Sequence, residues 1–150
     1  AVGVSAVRYN IIKVSPDKGF TFRWEEALSF EGESAPFIMY SHTRACSISK
    51  RVSRSVGNFE IGEIHKSIYE LFRAMAAFHD KLDLSVSENK PHIFALYLLE
   101  LATAYNAFYR DCHVTRDGQV NEFYYAISEK AREMLRDGMN GIGVIPLESM

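Results

Sequence analysis

Two aromatic and two basic side chains recur at helical spacing within residues 29–54, the stretch SFEGESAPFIMYSHTRACSISKRVSR. At about 100° per residue, one stripe of the helix predicted here carries Phe37, Tyr40, Arg44 and Arg51. Aromatic rings can stack on unpaired bases and guanidinium groups can hold phosphate, so the stripe has the chemistry of a site for single-stranded or looped RNA. A core helix with a solvated basic edge would show the same pattern, because arginine is common on protein surfaces.

The charge along this stretch is one-sided. Residues 34–59 contain no aspartate or glutamate, whereas four positive charges come from Arg44, Lys50, Arg51 and Arg54. The whole chain has a formal net charge of -2, which excludes a globally basic nucleic-acid-binding protein. Any contact with nucleic acid must therefore come from a local patch.

The helix that carries the stripe has clear start signals and an apolar neighbouring face. Ser34 can cap its N-terminus, and Pro36 falls in the first turn, where a missing N–H costs nothing. The neighbouring stripe consists of Ile38, Ala45, Ile48 and Val52. One helix thus offers a face for a core and, beside it, the candidate RNA-binding side chains.

Helical periodicity extends through most of the chain, and no sustained β pattern competes with it. It predicts further helices at residues 3–14, 21–30, about 63–78, 91–110 and 119–137. Residues 91–110 are apolar on nearly all faces, which indicates a central, buried helix. The mixed polar residues 79–90 predict a loop with about one helical turn, and Asp117-Gly118 predicts a turn. The expected fold is an all-α bundle of four to six helices.

Two further expectations concern particular side chains. The four residues Val4, Val7, Ile11 and Val14 recur at helical spacing on one face of the first helix, and Arg8 and Lys13 lie off that face. Gly138 follows the last periodic residues of the final helix, which favours a position just past the helix end.

Composition indicates an ordinary globular domain. With 150 residues and 47% hydrophobic content, the chain suits one domain with a sizeable core. Its two cysteines, Cys46 and Cys112, are too few for a disulfide framework and suit a reducing compartment. No apolar run is long enough for a transmembrane helix. Because the chain begins with Ala1 in a helical pattern, we expect a piece of a longer protein.

No catalytic site is identifiable from the residues alone. His42 and Cys46 are four residues apart, but adjacent Cys112 and His113 are poorly spaced to complete a zinc site. The glycines at 138, 141 and 143 do not follow a strand, and no P-loop pattern exists. The chain by itself therefore has the character of a binding or structural module.

The run from Ser29 to Arg44 resembles a pattern of the arginyl-tRNA synthetases. That pattern, Ser-Phe-Glu-Gly-x-x-x-Pro-Tyr-Leu-Gln-Tyr-Ala-His-x-Arg, stands here as Ser29-Phe30-Glu31-Gly32 and then Pro36-Phe37-Ile38-Met39-Tyr40-Ser41-His42-Thr43-Arg44. Further runs in residues 6–28, 96–109 and 131–150 agree in order, so the resemblance covers essentially the whole chain. The style of the C-terminal tail suggests an archaeal or eukaryotic-like member.

The resemblance implies the C-terminal, DALR-type helical bundle that binds the anticodon stem and loop in this class I synthetase family. Residues 1–30 would be junction helices that follow an absent catalytic domain, and residues 31–150 would be the anticodon-binding domain. A cytoplasmic parent enzyme would attach L-arginine to arginine tRNA with ATP and Mg²⁺. The signature motifs of its catalytic domain are not on this chain, so the resemblance implies no catalytic residue, metal or cofactor here, and neither DNA nor a membrane as partner.

The resemblance also implies particular contacts with the anticodon loop. The family positions that meet it match Phe37, Tyr40, Arg44, Tyr109 and Met150, and we add Arg51 and Arg132 as expected RNA contacts. Phe37 stands where many members have tyrosine, so we expect stacking there without a hydroxyl contact. The alternative is a free-standing helical protein–protein interaction module whose aromatic stripe docks a partner helix.

Overall fold

The computed structural model describes residues 1–150 and contains seven helices and one short hairpin. In chain order the elements are α1 (Val2–Ile12), α2 (Trp24–Ala27), α3 (Ala35–Val52), α4 (Lys66–Ala76), α5 (Phe78–Ser87), α6 (Pro91–Asp111), β1 (Thr115–Arg116), β2 (Gln119–Val120) and α7 (Glu122–Gly141). The predicted all-α class is confirmed. None of the helices combines the length and the apolar character that crossing a membrane requires.

Helix α6 lies at the centre of the bundle. It packs against α1, α3, α4, α5 and α7, and its side chains Leu98, Leu101 and Tyr105 are fully buried. A helix with neighbours on most sides must be apolar on most faces, which is the pattern that residues 91–110 show. The prediction of a central helix here is confirmed.

Helix α3 begins and divides its faces as its sequence predicts. The Phe37 N–H donates to Ser34 Oγ at 3.2 Å, and Pro36 lies in the first turn. The neighbouring apolar stripe turns inward, so that Ile38, Ala45 and Ile48 are buried against the rest of the core. The aromatic and basic stripe is consequently left at the surface, beside α6.

Residues 79–90 are mostly helical, and the predicted loop is wrong. Helix α5 packs along α6, where the Phe78 ring meets the rings of Phe94 and Tyr97 at centroid distances of 5.4 and 6.0 Å. Its remaining residues are largely polar, so the periodic signal was too weak to predict a helix. Tertiary packing of one aromatic end provides the stability that local propensity does not show.

A short antiparallel hairpin follows α6, where only a turn was predicted. Thr115 pairs with Val120 and Arg116 with Gln119, around Asp117 and Gly118 at φ values of 50° and 77°. Two successive positive φ values are the geometry of a type I′ turn, for which Asp-Gly is a favoured pair. A ladder of two residues per strand is too short to leave an alternating pattern in the sequence.

Helix α1 does not bury the apolar face that its valine and isoleucine spacing defines. Val4 and Ile11 are 56% and 54% exposed, whereas the buried residues are Ser5, Ala6, Tyr9 and Asn10. Two of these buried polar groups have partners, since the Tyr9 hydroxyl donates to the Ala95 carbonyl at 3.1 Å and Ser5 Oγ accepts from the Ile145 N–H. Satisfied hydrogen bonds allow polar residues to occupy the inner face, which a count of apolar residues cannot predict.

Gly138 lies inside α7 and not past its end, so that prediction is also wrong. A Cβ at this position would overlap Cδ2 of Leu98, which is fully buried on α6. Because Gly138 has no side chain, α7 can approach the central helix closely at this position.

Replacing Gly138 by alanine is expected to destabilise the domain by about 1–3 kcal/mol, because overpacking against Leu98 outweighs the gain of about 1 kcal/mol in helix propensity. Chemical denaturation measures the change in the free energy of unfolding. Gly141→Ala in the same helix is the matched control, since its Cβ would only touch Phe94 at 3.9 Å. Equal effects of the two substitutions would contradict the packing argument.

Candidate nucleic-acid interface

An open cleft between α3 and α6 holds the aromatic and basic stripe. We call it the aromatic cleft; its volume is about 680 Å³, and its lining includes Phe30, Phe37, Tyr40, Arg44, Asn106 and Tyr109. Four of the seven predicted RNA-contacting residues therefore share one site. Tyr109 joins them from the end of α6, more than sixty residues further along the chain than Arg44.

Arg44 lies between two tyrosine rings at the centre of the aromatic cleft. Its guanidinium carbon is 4.6 Å from the ring centroid of Tyr40 and 5.1 Å from that of Tyr109. Both distances suit attraction between a cation and the negative face of an aromatic ring. The positive charge and the rings thus form one unit that can meet a phosphate and a base together.

The amide of Asn106 fixes this unit from α6. Arg44 Nη1 donates to Asn106 Oδ1 at 3.0 Å, and Asn106 Nδ2 donates to Ser41 Oγ at 2.8 Å. Sequence reasoning missed Asn106 as a member of the site. The available signal was an asparagine in residues 91–110, a run that is apolar on nearly all faces, where a half-buried amide needs hydrogen-bond partners.

Phe30 is a second member that sequence reasoning missed. Its ring stands edge-on to Tyr40 at a centroid distance of 6.1 Å, at the mouth of the aromatic cleft. Tyr40 is itself 39% exposed. Exposed aromatic rings without an apolar cover can stack on a ligand, so both residues extend the aromatic surface toward solvent.

Arg51 lies about two helical turns further along α3 than Arg44, beside a smaller cavity of about 250 Å³. Its Nη1 donates to Thr115 Oγ1 at 3.2 Å in strand β1. Tyr109 and Arg110 line both this cavity and the aromatic cleft. The structure therefore places Arg51 next to the cleft, although it is not part of its lining.

Arg132 and Met150 do not line the aromatic cleft. Arg132 lies on α7, where its guanidinium forms two hydrogen bonds to the Glu129 carboxylate at 3.1 and 2.9 Å. Met150 is 46% exposed, and the tail before it is attached to α3 by an ion pair of 3.4 Å between Glu148 and Lys50. These two predicted residues thus lie outside the lining of the aromatic cleft.

His42 faces the C-terminal tail from another side of α3. Its Nδ1 lies 2.9 Å from the Leu147 carbonyl oxygen, to which the neutral imidazole can donate. Burial lowers the pKa of His42 below its ordinary value, and the charges of Arg132 and Arg136 lower it further, against the opposing effects of Leu147 and Glu148. The neutral form of the imidazole is therefore favoured in the folded domain. The structure contains no group of three or more histidine, cysteine, aspartate or glutamate side chains that could hold a metal ion.

Acidification from about pH 7.5 to about pH 5 is expected to destabilise the domain through His42. Its folded-state pKa lies below its unfolded-state pKa, so the unfolded state takes up the proton first. The stability it contributes is complete above about pH 6.5 and is lost as the pH falls through the folded-state pKa. Melting temperatures of His42→Asn should fall less over this range, because asparagine can still donate to Leu147 but does not titrate. Parallel curves for the two proteins would contradict this assignment.

Most of the chain matches a known protein family. Residues 38–150 match the family described as the DALR anticodon binding domain, which is well over half of the chain. The chain belongs to this family. The DALR match begins in the first turn of α3 and includes Tyr40, Arg44 and Tyr109, whereas Phe30 and Phe37 precede it.

The relatives of this DALR domain agree with the resemblance noted in the sequence. It is 41% identical to the arginine–tRNA ligase of Methanosarcina mazei, over 100% of this chain and 28% of that protein. It is 36% identical to the arginine–tRNA ligase of Thermococcus kodakarensis, over 100% of this chain and 25% of that protein. The chain thus spans about a quarter of the length of these relatives. The archaeal Methanosarcina relatives fit the expectation drawn from the tail.

Solved structures show the same fold. The DALR domain superimposes on the arginyl-tRNA synthetase of Thermus thermophilus with a TM-score of 0.87 at 28% identity, covering 99% of this chain and 26% of that one. The Plasmodium falciparum arginyl-tRNA synthetase gives a TM-score of 0.87 at 22% identity, covering 99% of this chain and 27% of that one, and supports the fold alone. The predicted bundle of the synthetase anticodon-binding type is confirmed.

Proposed function

We propose that this DALR domain binds the anticodon stem and loop of arginine tRNA. The observation that carries the proposal is the guanidinium of Arg44 held between the rings of Tyr40 and Tyr109 at an open cleft. A base that leaves the stack of the loop can lie on an exposed ring, which contributes about 1–3 kcal/mol per base. The arginine can then hold a phosphate or the edge of that base.

A cation at the centre of the cleft favours RNA over an apolar partner helix. Arg44, Arg110 and Glu31 line the aromatic cleft; Arg110 is paired with Asp111, whereas Arg44 forms no ion pair. An apolar helix docked there would have to desolvate the Arg44 charge without supplying a counter-ion, which is costly. A phosphate backbone supplies that negative charge directly.

We infer that this domain and the catalytic domain have separate functions within a longer parent protein. The relatives that match are arginine–tRNA ligases of which this chain spans about a quarter. In a parent of that kind, working in the cytoplasm, other domains would attach L-arginine to the tRNA with ATP and Mg²⁺, and this domain would select the tRNA. Residues 1–30 would join the two parts.

Three of the predicted RNA contacts lie outside the lining of the aromatic cleft, and we propose them as secondary contacts. Arg51 borders the neighbouring cavity that shares Tyr109 with the cleft, so it can meet an adjacent nucleotide. Arg132 and Met150 lie outside the lining of the cleft, so RNA would have to extend beyond the cleft to meet them. Arg132 would in addition have to share its guanidinium with Glu129.

The proposal is tested by titrating the 150-residue chain with the anticodon stem-loop of arginine tRNA and with the same stem-loop changed at the middle anticodon base. Fluorescence anisotropy at low and at moderate salt separates base recognition from charge, because phosphate contacts weaken steeply with salt. We expect the arginine stem-loop to bind more tightly at both salt concentrations. Equal affinity for the two RNAs at every salt concentration would leave only nonspecific electrostatic binding and would overturn base recognition.

A further inference from the structure

Asn106 connects α6 to the cation of the aromatic cleft through a directed chain of hydrogen bonds. Arg44 Nη1 donates to Asn106 Oδ1 at 3.0 Å, Asn106 Nδ2 donates to Ser41 Oγ at 2.8 Å, and Ser41 Oγ donates to the Phe37 carbonyl oxygen at 2.9 Å. Ser41 is completely buried and Asn106 is half-buried. This series of hydrogen bonds therefore ends on the backbone of α3, at a part-buried carbonyl.

The chemistry of arginine determines the donor and acceptor in each of these hydrogen bonds. A guanidinium can only donate, so the amide oxygen of Asn106 must face Arg44 and its NH₂ group must face Ser41. The Ser41 hydroxyl then accepts from Asn106 and has its own hydrogen free for the Phe37 carbonyl. Each group has a single role, so no alternative arrangement of the amide satisfies all three contacts.

A neutral partner leaves the charge of Arg44 available. No carboxylate forms an ion pair with Arg44, although nine other ion pairs occur in the domain. An aspartate at position 106 could hold the guanidinium equally well, but its negative charge would oppose a phosphate at the same place. The asparagine amide restricts the guanidinium without neutralising it, and Nη1 is the only one of its nitrogens that is hydrogen-bonded within the protein.

We propose that Asn106 is a positioning residue for RNA recognition, which holds the Arg44 guanidinium between the rings of Tyr40 and Tyr109 in the geometry that the ligand meets. This inference rests on the proposed function of the aromatic cleft. Without Asn106 the long arginine side chain loses its polar anchor and must be ordered when RNA binds. The entropy of that ordering lowers affinity even though no direct contact with RNA has been removed.

A double-mutant cycle in the 150-residue chain tests this role. Asn106→Ala is expected to weaken binding of the arginine anticodon stem-loop roughly tenfold in the unmodified chain, and to change it less than about twofold when Arg44 is already alanine. A residue that contacts RNA by itself, or acts only through fold stability, would give the same loss in both backgrounds, and that result would overturn the proposal. Asn140→Ala, an exposed asparagine of α7 that does not line the cleft, is the matched control and should leave affinity unchanged.

Ser41→Ala provides an independent second variant, because it removes the anchor of Asn106 and leaves the cleft lining intact. It is expected to weaken binding about threefold, and melting temperatures of all variants are measured alongside. If Asn106→Ala does not fold, unchanged affinity in Ser41→Ala overturns the positioning role. The proposed function fails separately, when the unmodified chain does not distinguish the two stem-loops. The positioning role of Asn106 alone is overturned when the unmodified chain distinguishes the two stem-loops and Asn106→Ala binds the arginine stem-loop with unchanged affinity.

Discussion

Replacing Arg44 by alanine is expected to weaken binding of the arginine anticodon stem-loop by about 10- to 100-fold, because charge-assisted hydrogen bonds contribute about 1.5–3 kcal/mol. The variant loses both the group that can hold phosphate and the cation that lies between the rings of Tyr40 and Tyr109. Stability should change little, since Arg44 is half-buried at an open cleft where water can replace its bond to Asn106.

Anisotropy titrations over a series of salt concentrations measure this effect. If Arg44 neutralises one phosphate, the slope of log affinity against log salt should fall in magnitude by about 0.7. Arg44→Lys keeps the charge but not the planar fork, so it should recover the salt slope and only part of the affinity. Arg73→Ala is the matched control, because Arg73 is an exposed arginine of α4 paired with Glu70. A loss of affinity as large in Arg73→Ala would show that only total charge matters.

Replacing Tyr40 by alanine is expected to weaken the same complex by about 5- to 100-fold, because stacking of one base contributes about 1–3 kcal/mol. Tyr40 offers an exposed ring next to Phe30, and the Arg44 guanidinium covers one of its faces. Tyr40→Phe keeps the ring and should bind nearly as tightly as the unmodified chain. The contrast between the two substitutions isolates the ring from the hydroxyl.

Tyr69→Ala is the matched control for the tyrosine substitutions. Tyr69 is an exposed tyrosine of α4 and does not line the aromatic cleft. Its loss should leave RNA affinity unchanged, and melting temperatures of all three variants should stay close together. If Tyr40→Ala unfolds the domain, the stripe on α3 is part of the hydrophobic core, and the proposal that it binds RNA is wrong. If it folds and binds normally, no base stacks on this ring.

Much of the helical framework was predictable because its signals are local. Ser34 and Pro36 indicate where α3 begins, and both act through contacts within one turn of that helix. The apolar stripe of α3 and the nearly uniform apolar character of α6 predict which faces are buried, since a helix repeats every 3.6 residues. Phe37, Tyr40 and Arg44 follow from the same periodicity, as residues that share one stripe.

Features whose stability comes from distant partners were mispredicted or not predicted at all. Helix α5 depends on Phe78 packing against rings of α6, and its own polar sequence carries little helical signal. The inner face of α1 is set by hydrogen bonds of Tyr9 to α6 and of Ser5 to the C-terminal tail. Gly138 lies inside α7 because Leu98 of another helix needs its space. None of these partners is within reach of a local pattern.

The sequence by itself determined the class of fold and the residue types of the candidate site. It placed aromatic and basic side chains on one stripe of α3, and the resemblance to arginyl-tRNA synthetases added Tyr109. Only the tertiary structure decided the composition of the site: it brought Asn106 and Tyr109 to Arg44, added Phe30, and left Arg132 and Met150 outside the cleft lining. The physical reason is that helical periodicity specifies directions around one axis, whereas a site depends on how two helices, far apart in sequence, pack against each other.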